Sequence, residues 1–258
     1  MQKPLSILVF FGLAATTAHA ALSFYALKDA YLANPASPQI YQYDGISNFR
    51  NNISASITTR AMAHGNSSDI AIDELGRFYF VNGDPSSTGS KQIWRWNSVS
   101  DWAINNGATL LGTRNSTTQI SGFSVYQNEF YFFEGNPDNF GTKSLRKWGS
   151  ANSWANGDSG TLVGSRSTGS GLGFEIDQSG TVWLLDAVAN TATSGTLYSW
   201  ASITDFINNT NGGNNGGGFN FFGGSDQIGG LAVVPEPSAL SLFGLGLAAL
   251  TLLRRRSP

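Results

Sequence analysis

The sequence predicts an all-β fold of four like units closed head to tail, on three observations. A motif recurs about every 52 residues, each repeat holds four short strand-like runs, and the two ends of the repeat region carry fragments that complete one another. The recurrence is clearest in IYQYDGISNF from Ile40, IWRWNSVSDW from Ile93, LRKWGSANSW from Leu145 and LYSWASITDF from Leu197. These align without gaps, at spacings of 53, 52 and 52 residues.

Flanking runs recur in the same phase. Taking the aligned motif as run C, run B lies upstream as FYFVNG from Phe78, FYFFEG from Phe130 and VWLLDA from Val182. Each follows a turn pair, Leu75-Gly76, Gln127-Asn128 or Ser179-Gly180. Run A is SDIAID from Ser68, GFSVYQ from Gly122 and GFEIDQ from Gly173. Run D is ISASITTR from Ile53, ATLLGTR from Ala108 and TLVGSR from Thr161. Three units therefore run from A to D. Left over are an A-type run at one end, GGLAVV from Gly229 to Val234, and B, C and D runs at the other, from Leu22, Ile40 and Ile53. Four strands in a period near 50 residues mark a propeller blade. The predicted fold is a four-bladed β-propeller with circular closure of the last blade, flanked by an N-terminal signal helix and a C-terminal transmembrane helix. A repeat-built β-sandwich or an open solenoid is the competing arrangement, but a solenoid needs capping repeats, whereas these ends are complementary.

Within each unit the residue types follow from that packing. Tyr43, Trp96, Trp148 and Trp200 on run C, and Phe49, Trp102, Trp154 and Phe206 six residues later, recur at one phase, as inter-blade packing requires; a sugar-stacking circle is the alternative. Ser98, Ser150 and Ser202 precede single helical turns between C and D and are placed to cap them. Gly122, Gly173 and Gly230 suit a crowded centre where inner strands meet. The stretch NNTNGGNNGGG, Asn208 to Gly218, reads as a flexible loop between C and D of the last complete unit.

Propeller connectivity puts the B to C loops on one face: Lys28 to Gln39, Asn82 to Lys91, Glu134 to Lys143 and Asp186 to Gly195. The same face receives the ends of run D, with Arg60, Arg114 and Arg166. These guanidiniums, with Asp84, Glu134, Asp138 and Asp186 on the loops, are the candidate ligand-binding residues, able to grip glycan by forked hydrogen bonds. The competing role pairs each arginine with a carboxylate of the adjacent blade.

Catalytic chemistry finds little support. There is no cysteine, which excludes disulfides, zinc-thiolate sites and cysteine nucleophiles. His19 falls in the leader, so His64 is the one histidine of the body; no G-x-S-x-G elbow accompanies it, and a histidine zinc site needs two such ligands. Asn82-Gly83-Asp84 and Asn136-Pro137-Asp138-Asn139 match no calcium loop and read as Asx turns. A glycosidase pair of distant carboxylates stays open, since sequence does not give their separation. No catalytic residue, metal site or cofactor is assigned.

The ends carry addresses. Met1 to Ala20, with Lys3, an apolar run from Leu5 to Ala15 and the ending Ala18-His19-Ala20, has the layout of a secretory signal peptide. The body then spans residues 21–234. Without the two ends it keeps 11 basic and 16 acidic residues, a net charge near −5 that argues against nucleic acid as a partner. The last segment, residues 235–258, follows Val234 with Pro235-Glu236-Pro237, then 15 uncharged, mostly apolar residues from Ala239 to Leu253, then Arg254-Arg255-Arg256. Such a helix is about 22 Å long, short for a membrane span, and the arginines favour insertion with the body outside. This three-part order resembles the PEP-CTERM tail of Gram-negative bacteria that make exopolysaccharide. The resemblance implies an exosortase as processing partner, cleavage near Pro235 to Pro237, and a membrane anchor that is transient before release to the cell surface or medium. It leaves the role of the body open. Three readings remain: a non-catalytic propeller binding polysaccharide or an envelope protein, a lyase or glycoside hydrolase acting on exopolysaccharide, and a purely structural matrix module.

Overall fold

The computed structural model describes residues 22–28, 38–53, 55–60, 67–84, 87–137, 140–169, 171–187, 195–217 and 228–235. These lie in one compact unit, Leu22–Glu236. The signal helix and the transmembrane helix expected at the two ends fall outside the described residues, and among the latter no helix is long and apolar enough to cross a membrane.

The chain forms four antiparallel sheets of four strands. Blade 1 joins β1 (Leu22–Lys28), β2 (Gln39–Asp44) and β3 (Ser56–Thr59) to β16 (Ile228–Pro235) from the far end of the chain. Blade 2 is β4 (Ser67–Ile72), β5 (Phe78–Asn82), β6 (Gly89–Trp96) and β7 (Thr109–Ser116). Blade 3 is β8 (Ile120–Tyr126), β9 (Glu129–Glu134), β10 (Gly141–Trp148) and β11 (Thr161–Thr168). Blade 4 is β12 (Gly171–Ile176), β13 (Val182–Ala187), β14 (Gly195–Trp200) and β15 (Gly213–Gly217). The expected closure is present: β16 pairs antiparallel with β1, Val233 opposite Phe24 and Leu231 opposite Ala26. Ordinary sheet hydrogen bonds join the two ends, so blade 1 has no missing strand.

One short helix links the third and fourth strands of every blade: α1 (Ile46–Asn51), α2 (Val99–Ala103), α3 (Ala151–Ala155) and α4 (Ile203–Asn208). The Oγ atoms of Ser98, Ser150 and Ser202 accept the N–H groups of Asp101, Ser153 and Asp205 at 3.0, 3.1 and 3.1 Å, as a capping serine should. Blade 1 has Gly45 in that place and no side-chain cap.

Four apolar clusters form the core, and each belongs to a seam between blades. Phe24, Tyr43 and Phe49 of blade 1 meet Trp183, Leu185 and Leu197 of blade 4; Leu27 and Ile40 meet Ile70, Phe78, Trp96 and Trp102; the other two clusters fill the remaining seams in the same way. All eight recurring aromatics are buried, Trp154 and Phe206 lying 5.1 Å by centroid from Phe132 and Trp200. They are packing residues, not a sugar platform.

Two expectations need correction. The glycine- and asparagine-rich stretch is not simply a loop: Gly213–Gly217 is the outer strand β15, with Tyr198 opposite Asn214 and Ser199 opposite Gly213. Backbone amides supply an edge ladder whatever the side chains, and Asn215 Nδ2 adds a 2.6 Å bond to Ser199 Oγ. Secondly, the inner strands place Asp69, not Ser68, level with Gly122, Gly173 and Gly230, since those four pair with Val81, Phe133, Leu185 and Leu27. An aspartate standing in a glycine column hides the register from the sequence.

Candidate functional site

The three arginines turn into the seams. Arg60, just past β3, donates from Nη1 to Trp102 O (2.9 Å) and from Nη2 to Asn105 Oδ1 (2.7 Å), with its guanidinium carbon 5.0 Å from the Trp96 ring centroid. Arg166 in β11 repeats this on blade 4, with bonds to Phe206 O (2.9 Å) and Asn209 Oδ1 (2.8 Å) and a 4.1 Å approach to Trp200. Arg114 in β7 makes longer bonds, 3.4 and 3.3 Å, to Trp154 O and Asp158 O. The partners are thus carbonyls and asparagines at the C-terminal end of the next blade's helix, where a cation is favoured, and not adjacent carboxylates.

The carboxylates are spread over the seams as well. Asp84 follows β5, half-buried, and its carbonyl accepts Lys91 Nζ. Glu134 closes β9, with Arg146 Nε 3.5 Å from its Oε2. Asp186 lies in β13. Asp138 is outside the described residues, as is His64. The six described candidates therefore form no single surface. Arg166 and Asp186 line one cleft, and the charge of Arg114 reaches Glu134, without an ion pair in either case, while Arg60 sits in another seam.

The pair Arg166 and Asp186 borders a cleft of about 920 Å³ between blades 3 and 4. One wall is Tyr198, half-buried and stacked on Trp200 at 5.9 Å and 28°. Behind it the Arg166 guanidinium lies against the same indole. Asn209, Asn211 and Asn214 contribute amides, and Phe140, 86% exposed, stands at the rim. Burial pushes the Asp186 carboxyl up from its ordinary value, opposed by Lys143, the Gly169 N–H and Arg166. Lys143 is itself buried, donating from Nζ to Thr168 Oγ1 at 3.0 Å, and burial lowers its pKa. The cleft thus joins an aromatic face, a carboxylate and a row of neutral amides.

Its counterpart between blades 2 and 3 is smaller, about 410 Å³. There Arg146 takes the ladder position of Tyr198, since each pairs with the equivalent residue of the preceding strand, Phe132 or Leu184. Glu134 takes that of Asp186, and the ion pair between Arg146 and Glu134 occupies the space. Of the residues lining the open cleft, sequence reasoning singled out Arg166 and Asp186 as ligand contacts and missed Phe140, Tyr198, Asn211 and Asn214. The one signal available was the departure of Tyr198 and Arg146 from each other in an otherwise matched column.

Among the described residues no group of three or more His, Asp or Glu is placed to hold a metal ion. Of the sorting residues, Val234 and Pro235 end β16, opposite Ser23 and Leu22, whereas Glu236, Pro237 and Arg254 to Arg256 lie outside the described residues. Residues 233–256 match the PEP-CTERM protein-sorting motif. The PEP-CTERM tail implies an exported protein that an exosortase sorts, held by a C-terminal membrane anchor before cleavage. No curated protein matches the chain. A solved structure described as SapL1 lectin in complex with alpha methyl fucoside is similar at 13% identity, over 83% of this chain and 85% of that one, with a TM-score of 0.34.

Proposed function

We propose that the protein is a non-catalytic, surface-released propeller that binds neutral polysaccharide in the cleft between blades 3 and 4, within residues 21–234 left after removal of a leader (1–20) and the sorting tail (235–258). The observation that carries this reading is the composition of the cleft: Tyr198 offers a flat apolar face, while Asp186 and the asparagine amides accept from and donate to hydroxyls. Of the charged groups on its walls, Arg166 is engaged by the C-terminal end of α4 in the next blade and Asp186 is balanced by Lys143, so uncharged hydroxyls suit the site better than carboxylates or phosphates. Export places it among such polymers.

Mature protein incubated with the extracellular polysaccharide of its host tests this. Retention without shortening of the polymer is the expected result, and Tyr198→Ala should weaken it about tenfold or more, the loss of one stacked aromatic contact, while lowering the melting temperature by only about a few degrees. Shortened chains would establish the lyase or hydrolase reading instead. Neither retention nor shortening would leave the structural-module reading.

A further inference from the structure

On the axis of the propeller the inner strands present one residue each at the same level: Asp69 on β4, Gly122 on β8, Gly173 on β12 and Gly230 on β16. Contact dictates the glycines. A Cβ on Gly173 would lie 2.6 Å from Leu231 Cβ, and one on Gly230 would lie 2.7 Å from Asp69 Oδ1. Asp69 is the one member with a side chain, and it is fully buried.

Its carboxylate gathers the whole molecule. Oδ1 accepts the N–H of Ile70 at 2.8 Å and of Leu231 at 2.9 Å; Oδ2 accepts that of Phe123 at 2.8 Å and of Phe174 at 3.1 Å. These donors are the residues that follow the set, one from each blade. Converging backbone amides with no carboxylate or carbonyl of their own between them constitute an anion-binding concavity, and bonds to an ionised acceptor are the strong kind. Among the described residues no Lys, Arg or His side chain bonds to Asp69, so its recorded hydrogen-bond donors are the four amides. Burial raises the Asp69 pKa well above its ordinary value, and the four N–H groups oppose that rise by favouring the ionised form.

We propose that the propeller axis is a binding site for a small monoanion, filled in the native protein by its own Asp69. The donor set exists only in the closed ring: Leu231 comes from β16 and Ile70 from β4, 161 positions apart in sequence, and neither strand alone presents more than one N–H. The buried aspartates that follow β4 and β12 do not compete for these amides. Asp73 is saturated by Leu75 N, Arg77 N, Arg77 Nε and the Tyr79 hydroxyl, Asp177 by Ser179 N and Oγ, Thr181 N and Trp183 Nε1. Glu175 on β12 and the Ser124 hydroxyl on β8 complete the surroundings, and Ser124 Oγ accepts Ile176 N instead. The ligand is then a planar or spherical monoanion no larger than a carboxylate, formate or chloride being the nearest in size.

Asp69→Gly makes the fourth inner strand like the other three and empties the site. In a buffer whose anion is the bulky gluconate, the variant is expected to melt roughly 10 °C below the native protein. Sodium formate should restore it, the melting temperature climbing with the logarithm of formate concentration as binding to the folded state requires. Asp69→Asn is the control: its amide fills the space and turns an NH₂ toward two of the N–H groups, so it should be destabilised and not rescued. Should Asp69→Gly fail to fold without anion, recovery of buried tryptophan fluorescence on refolding against formate reads the same binding. The proposal is overturned if formate raises Asp69→Gly no more than it raises the native protein and Asp69→Asn. A glycine variant as stable as the native protein in gluconate, or one unfolded at every formate concentration, overturns it equally.

Discussion

Glu175 stands on β12 two residues beyond Gly173, fully buried, and neither of its carboxyl oxygens meets a hydrogen-bond partner among the described residues. Burial first, then the charges of Asp69, Asp177 and Asp73, push its carboxyl well above the ordinary glutamate range, while the nearby Ser124 hydroxyl is bonded to the Ile176 backbone. A carboxyl raised in the folded state binds its proton more tightly folded than unfolded. Its contribution to stability is therefore complete at low pH and is lost as pH climbs from the ordinary glutamate range through the folded value. Glu175→Gln should remove that loss: melts from about pH 4 to about pH 9 are expected to diverge, the variant becoming the more stable toward the alkaline end. Parallel profiles would contradict it. The arginines rank by the same local reasoning. Arg60, 2% exposed with bonds of 2.9 and 2.7 Å, should cost about 3 kcal/mol on replacement by alanine; Arg114, with bonds of 3.4 and 3.3 Å, should cost about 1 kcal/mol. Urea unfolding of the two variants checks the order.

Among the elements, the strands carry their own labels in the sequence, because alternating apolar runs bounded by turn residues recur in a fixed phase. The helices were legible through their caps, and replacing Ser98, Ser150 or Ser202 by alanine should each cost about 1 kcal/mol in equilibrium unfolding, with no effect on glycan retention. Strand β15 was not legible. Its five residues are Gly213, Asn214, Asn215, Gly216 and Gly217, which bury no apolar face, and it exists because β14 offers a free edge. The candidate site divided likewise. Arg166 and Asp186 were visible as a charged residue ending a recurring strand and a carboxylate opening a long loop. Phe140, Tyr198 and Asn214 were not, since their relevance comes from facing one another across a seam.

At the level of the whole molecule, the closing ladder between β1 and β16 decides whether the seams exist. Val233 sits in the core with Phe24 and Trp183, so an aspartate at 233 places a charge between blades 1 and 4. Such a variant should lose the single cooperative unfolding transition and expand in gel filtration, because an unpaired buried carboxylate destabilises by several kcal/mol. A compact, cooperative Val233→Asp protein would mean that closure is not essential. The sorting motif begins in this strand at residue 233, so the segment that addresses the protein to the cell envelope and the strand that completes its fold share three residues.

Repeat period, strand number, complementary ends and the C-terminal sorting address were determined by the sequence alone, because each is a local pattern or a count along the chain. What only the tertiary structure decided are the relations between blades: which arginine meets which helix, which seam stays open, and that one aspartate in a column of glycines collects an amide from every blade. Such relations depend on groups 40 to 162 residues apart reaching hydrogen-bond distance, and no periodicity along a chain encodes that meeting.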